Sequence, residues 1–164
     1  MHKRLAALGV ATSVAFAVGL ALGPATADAA SPVYGEHVIT IEVVEKGTAI
    51  NMVDVAPAGS ALGDQLIGTG DLLGRDGRKL GRSSFVGTST DAKPRTAELL
   101  TFVYELPGGK ITTEGTAKLS ATDPVFDEQF AITGGTGAYK SASGQVRVLQ
   151  ETVERAKVTF KILR

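Results

Sequence analysis

The stretch AITGGTGAYKSASGQVRV, residues Ala131–Val148, decides how the rest of the chain is interpreted. A β-like run leads into it at Ile132, and another leaves it at Gln145. The turn between these runs contains three glycines within four positions, Gly134, Gly135 and Gly137. Glycine suits positions where φ is positive or where two backbones approach closely. Because strand patterns lie on both sides, the stretch predicts a tight corner in a packed or closed sheet.

The same glycines also suggest a phosphate-binding loop, but the residues after them argue against it. Such a loop needs a helix N-terminus directly after its glycines, usually with Gly-Lys-Ser/Thr. Here a turn rich in Ser and Gly follows, and then a further strand. We therefore interpret the stretch as a structural corner.

Short strand patterns separated by turns make up most of the remaining chain. Val38–Glu45 places Ile41 and Val43 on one face, and a weaker strand is predicted over Ala49–Val55. The last run, Lys157–Leu163, alternates apolar and polar residues. About eight such strands without a convincing helix predict an all-β fold, either an antiparallel barrel or a sandwich.

Residues 1–29 have the composition of a secretory signal peptide. Basic residues precede an apolar run from Leu5 to Leu22, and small residues in an Ala-x-Ala pattern follow. Cleavage is predicted after Ala27 or Ala29. The alternative is a membrane anchor, which fits less well because Thr, Ser and Gly interrupt the apolar run. The sequence thus predicts a secreted protein with one domain over residues 36–164.

Charge and composition exclude several classes of protein. The chain has 17 Lys and Arg residues against 17 Asp and Glu, and loss of residues 1–29 leaves no basic excess. We therefore expect no nucleic-acid partner, and no second apolar run is long enough for a membrane anchor. The chain has no cysteine, and His37 is the only histidine outside the N-terminal segment. No cofactor and no metal site is predicted, since thiolate and histidine-rich sites lack their ligands.

Ionisable residues on strand-like runs are the candidates for chemistry. Glu42 lies in the middle of the first strand, among Val and Thr residues. Its carboxylate either faces solvent or lines a cavity, where desolvation would raise its pKa and suit it to acid–base work. Asp71, Arg82 and Tyr104 lie on strand-like runs in the same way. The spacing alone leaves both orientations open for these residues.

The glycine corner resembles the corresponding segment of known barrel proteins. AITGGTG followed by GQV resembles plant allene oxide cyclases, and GGTGAY resembles the corner of dirigent proteins. Leu62–Leu66, Gly70–Leu72, Lys79–Arg82 and Thr101–Tyr104 are similar to further segments of these families. The resemblance runs over Val38–Leu163. It implies an eight-stranded antiparallel β-barrel with a hydrophobic cavity, commonly assembled as a trimer.

The resemblance also implies roles for individual residues. Glu42 matches a first-strand glutamate that assists ring closure in the cyclases, and Asp71 matches an aspartate of dirigent proteins. Three positions depart from these families, because Val44 replaces an asparagine, Gly87 a cysteine and Thr116 an arginine. The chain therefore resembles both families in scaffold without repeating either complete active site.

From the residues and the resemblance together we expect a secreted barrel that binds a small hydrophobic molecule. Its action would be to steer cyclisation or isomerisation by confining the molecule in one shape. Glu42 is the predicted catalytic residue, and Asp71, Arg82 and Tyr104 are predicted to line the ligand-binding cavity. The alternatives are a non-catalytic, lipocalin-like carrier and a structural barrel whose interior is filled. A homotrimer is the expected assembly.

Overall fold

A computed structural model describes residues 37–55, 57–92, 97–118 and 125–163 of the chain. These residues form eight strands: β1 Val38–Val53, β2 Gln65–Leu73, β3 Lys79–Ser89, β4 Ala97–Leu106, β5 Gly109–Lys118, β6 Phe126–Gly135, β7 Ser143–Thr152 and β8 Arg155–Leu163. Each strand pairs antiparallel with the next, and β8 pairs with β1, so the sheet closes. The predicted eight-stranded antiparallel barrel is confirmed. The predicted signal peptide lies outside the described residues.

The first strand differs from the prediction, because the two expected strands at its position form one. β1 runs without interruption from Val38 to Val53, and its register with β2 shifts between Gly47 and Ala49. The Gly47 amide donates a hydrogen bond of 2.8 Å to the carbonyl oxygen of Glu154, in the turn between β7 and β8. The break in the hydrophobic pattern is therefore a β-bulge, where an extra residue bends a continuous strand.

The glycine corner is present between β6 and β7. β6 ends at Gly135, and a single turn of 3₁₀ helix over Gly137–Tyr139 leads towards β7. Gly137 has φ of 60°, and a β-carbon there would overlap the carbonyl oxygen of Gly108 in the β4–β5 turn. The Ala138 amide donates to the same oxygen at 2.8 Å. The corner therefore needs glycine because it packs directly on a neighbouring backbone.

Alternate residues of each strand point into the barrel and form its core. Aromatic rings occupy the middle. Phe102 stacks on Tyr104 with 5.5 Å between ring centroids, and Tyr104 meets Phe160 edge to face at 5.0 Å. Phe85 and Phe130 contact Phe102 at 5.5 and 5.2 Å. None of the described residues belongs to a helix long and apolar enough to span a membrane.

Candidate functional site

Glu42 lies on the outer face of the barrel. Its side chain is about half exposed, and Oε2 forms an ion pair of 2.6 Å with Arg75. Together with Lys157 it borders an open depression of about 270 Å³. The expectation that Glu42 faces the interior is not met, because the next residue, Val43, takes the inward position and is buried. The catalytic role assigned to Glu42 stays a prediction, and its exposed position gives it no desolvated environment.

Asp71 and Arg82 also face outwards, whereas Tyr104 lies inside. Asp71 is paired with Lys79 at 2.6 Å, and Arg82 is exposed directly opposite Asp71 in the β2–β3 ladder. The expectation that these two side chains line a cavity is not met, because the inward positions of β2 fall on its even-numbered residues. Tyr104 is fully buried on the inner face of β4. The four predicted site residues are therefore not brought together.

A different carboxylate, Glu45, lies inside the barrel. It is 8% exposed and is two residues from Val43 on the inner face of β1. The Ser83 hydroxyl on β3 lies 2.5 Å from Glu45 Oε1 and donates to it. The two residues meet across β2 because Gly70 stands between them without a side chain. A β-carbon at Gly70 would lie 2.9 Å from Glu45 Oε1 and also 2.9 Å from Ser83 Oγ.

Two further hydroxyls continue this polar cluster around the inner wall. Tyr104 is directly opposite Ser83 in the β3–β4 ladder, and Thr113 lies on the inner face of β5. Both side chains have no exposed surface. We call Glu45, Ser83, Tyr104 and Thr113 the inner polar cluster. It is held by four strands, β1, β3, β4 and β5, and is surrounded by the aromatic core.

Burial sets the protonation behaviour of the inner polar cluster. Desolvation raises the pKa of the Glu45 carboxyl, and the hydrogen bond from Ser83 opposes this only in part. The pKa of the Tyr104 phenol lies well above its usual value. Desolvation is the main cause, the nearby Glu45 charge adds to it, and the neighbouring Thr113 hydroxyl opposes it. The interior therefore favours the protonated form of both groups.

This arrangement can exchange a proton within an apolar core. Burial shifts the Glu45 carboxyl towards its protonated form, and carboxyls with a pKa raised in this way can donate and recover protons and concentrate at functional sites. Within the described ranges, no three or more metal-ligating side chains are placed to hold a metal ion. Glu45 was not among the residues predicted from the sequence. Alternate residues of a strand share a face, so Ile41, Val43 and Glu45 could have been placed together.

Comparisons with known proteins agree with the fold. A sequence model of the allene oxide cyclase barrel-like domain matches residues 44–163. A pyocyanin demethylase is similar in structure, with a TM-score of 0.66 and 22% identity over 76% of this chain and 99% of its own. No protein of curated function matches the chain by sequence.

Two further solved structures share the barrel. A pterocarpan synthase dirigent protein has a TM-score of 0.57 and 21% identity, over 85% of this chain and 97% of its own. The Diels-Alderase AbmU from Streptomyces koyangensis has a TM-score of 0.59 and 19% identity, over 76% of this chain and 63% of its own. At these identities the similarity describes the fold alone.

Proposed function

Because the chain belongs to the allene oxide cyclase barrel-like family, we propose that its interior binds a small hydrophobic molecule and steers its cyclisation or isomerisation. The observation that carries this proposal is Glu45, a buried carboxyl with a raised pKa inside an aromatic barrel. We assign to Glu45 the acid–base role that the sequence suggested for Glu42.

The proposed chemistry needs no second reactant. The protonated Glu45 donates its proton to the bound molecule, and the resulting carboxylate removes a proton from another position. The bound molecule keeps its formula, and Glu45 returns to its starting state. Ser83 positions the carboxyl by donating to Oε1, which leaves Oε2 for the proton transfer. The surrounding rings restrict the molecule to a few shapes, which lowers the entropic part of the barrier.

The names of two structural neighbours support this direction. One is described as a pterocarpan synthase and the other as a Diels-Alderase, and both names denote ring formation. Since their identity to this chain is low, the support is for the use of such a barrel and does not identify the substrate.

The proposal predicts a conversion that conserves mass. We would incubate the purified chain with an organic extract of its host culture and follow all compounds by liquid chromatography–mass spectrometry. We expect one compound to be replaced by an isomer of identical mass and different retention time. Glu45→Gln should slow this conversion by roughly 10²- to 10⁴-fold, the usual contribution of acid–base catalysis. Glu42→Gln is the matched exposed carboxylate and should leave the rate nearly unchanged.

The same experiment separates the alternatives. If Glu42→Gln abolishes the conversion and Glu45→Gln does not, the acid–base role belongs to the outer carboxylate. A compound that native mass spectrometry finds bound and chemically unaltered, without any conversion, indicates a carrier. Absence of both binding and conversion indicates a structural barrel filled by its own aromatic rings.

We also propose that the protein acts as a homotrimer. Beyond the charged row of Asp71, Arg82 and Glu105, the outer face of β2 to β4 carries uncharged side chains in register, with Ile67 opposite Val86 and Val86 opposite Thr101. Ile67 and Leu99 on this face are 42% and 40% exposed. Large apolar side chains exposed near one another on one face are typical of a surface covered by another protein. The number of subunits comes from the family resemblance, and sedimentation analysis should give three times the mass of one chain.

Export remains a proposal based on the sequence of residues 1–29. N-terminal sequencing of the protein recovered from the culture medium tests it. We expect the chain to begin at Asp28 or Ala30, and an intact Met1 in the cell fraction would contradict export.

A further inference from the structure

Two hydroxyls of the inner polar cluster have no hydrogen-bond partner among the residues that the structure describes. They are Tyr104 Oη and Thr113 Oγ1, both fully buried. The two groups are neighbours, close enough for a hydrogen bond from Thr113 to the ionised phenol to oppose the rise in its pKa, but in the folded chain their oxygens do not meet in hydrogen-bond geometry. Ser83, on the next strand, is satisfied by Glu45 and by the carbonyl oxygen of Gly70. The lack of partners is therefore specific to the β4–β5 side of the cluster.

A buried hydroxyl without a partner destabilises the folded chain, and such groups are rare in native interiors. The cost is offset when a bound molecule supplies the missing partner. The surroundings limit what that molecule is. Phe102 stacks on the Tyr104 ring and Phe160 meets it edge to face. A molecule that fits these groups is therefore apolar over most of its surface and carries a hydrogen-bonding group at one point.

We propose that Tyr104 and Thr113 form an oxygen-binding subsite that takes the carbonyl group of a flat, conjugated ketone. This inference rests on the proposed function and names the class of molecule that the interior binds. A carbonyl oxygen has two lone pairs and accepts two hydrogen bonds, which matches two neighbouring hydroxyl donors. A flat conjugated ring matches the stacked aromatic side chains beside them.

The electrostatics agree with this role for the phenol. The pKa of Tyr104 lies well above its usual value, so the group keeps its proton and remains a donor. Its neighbour Glu45 is close enough to raise that pKa through its charge. A proton removed from the carbon next to the carbonyl leaves negative charge on the oxygen, and two fixed donors stabilise that charge. The subsite and Glu45 would thus act on adjacent atoms of one molecule.

The test compares two probes that differ only in the oxygen. 1-Tetralone is an aryl ketone whose carbonyl is conjugated with a flat benzene ring, and tetralin has the same rings without the carbonyl. We would measure both dissociation constants by NMR titration of the protein's methyl groups. The wild-type chain should bind 1-tetralone more tightly. Tyr104→Phe and Thr113→Val should each weaken 1-tetralone binding about fivefold, the effect of one hydrogen bond, and leave tetralin binding unchanged.

Matched controls remove a hydroxyl elsewhere. Tyr139→Phe removes a phenol that donates to Pro107, and Thr112→Val changes the outward neighbour of Thr113. Neither should alter the preference for the ketone.

A second measurement needs no variant. The carbonyl carbon of ¹³C-labelled 1-tetralone should move downfield on binding to the wild-type chain, as expected for a carbonyl that accepts hydrogen bonds.

The outcomes separate this inference from the proposed function. Equal affinity for both probes, with no shift of the carbonyl carbon, overturns the subsite and leaves ligand binding intact. Loss of affinity for both probes in Tyr104→Phe and Thr113→Val shows a structural effect and also overturns it. If neither probe binds the wild-type chain, the subsite is overturned, whereas the proposed function fails only if the host extract also yields no bound compound and no conversion.

Discussion

Replacing Thr113 with valine should stabilise the ligand-free protein, which is unusual for a core substitution. The Thr113 hydroxyl is fully buried and has no hydrogen-bond partner among the described residues. An unsatisfied buried hydroxyl costs about 1–3 kcal/mol. Valine has nearly the same shape and replaces the hydroxyl by a methyl group. We therefore expect the free energy of unfolding to rise by about 1–2 kcal/mol.

Thermal unfolding followed by circular dichroism measures this effect. The protein should first be unfolded in urea and refolded, so that no bound molecule remains. For a domain of this size each 1 kcal/mol moves Tm by roughly 4 °C. Thr112→Val is the control on the outer side of the same strand, and it should lower stability by about 1 kcal/mol or less, because the Thr112 hydroxyl accepts an exposed hydrogen bond from Thr133.

The test depends on whether Tm rises or falls in Thr113→Val, because most core substitutions lower Tm. A fall in Tm of several degrees in Thr113→Val would show that the hydroxyl makes a favourable interaction in the free protein. The reasoning that the interior hydroxyls await a ligand would then be refuted. A rise would mean that the chain sacrifices stability at this position, as proteins often do at functional sites.

Three further predictions follow from the same geometry. Gly70→Ala places a β-carbon 2.9 Å from both Glu45 Oε1 and Ser83 Oγ, so unfolding in urea should show a loss of about 1–3 kcal/mol from overpacking. In a series of Tm against pH, the contribution of Glu45 is fully present below its unfolded pKa of 4.5 and is lost as pH rises through the raised folded pKa. Glu45→Gln should flatten the curve in that window, and parallel curves would contradict the raised pKa. Val86→Lys puts a charge into the proposed trimer face, so sedimentation should give monomers, and an unchanged trimer would place the interface elsewhere.

The pattern of residues predicted an all-β fold, barrel or sandwich, and the resemblance to known families selected the barrel. Gly137 and its neighbours marked the corner, because a positive φ and contact with a neighbouring backbone both require glycine. The apolar alternation of β8 showed one buried face. The bulge in β1 was misinterpreted as a gap between two strands, since a single extra residue breaks the period without ending the strand.

The site was harder to predict, for reasons that lie in the strands themselves. In β2 the inner positions include Gly68 and Gly70, so no apolar alternation showed that Asp71 faces outwards. In β1 the orientation was readable, and Glu45 shares the face of Val43. The contact between Glu45 and Ser83 depends on how β1 and β3 are each paired with β2. That register cannot be read from the sequence of any single strand. When a barrel interior is built from several strands, the neighbours of an inward side chain can be predicted only once the strand pairing is known.

The most direct measurement of the central claim is the titration of Glu45 by NMR of its ¹³C-labelled carboxyl group. We expect its midpoint to lie above the ordinary value of 4.5, because burial disfavours the carboxylate. Ser83→Ala should raise the midpoint further, since it removes the hydrogen bond that opposes burial. In the same spectra the midpoint of the exposed Glu105, which is paired with Lys110, should lie below 4.5. A midpoint for Glu45 at or below 4.5 would contradict a desolvated, proton-bearing carboxyl inside the barrel.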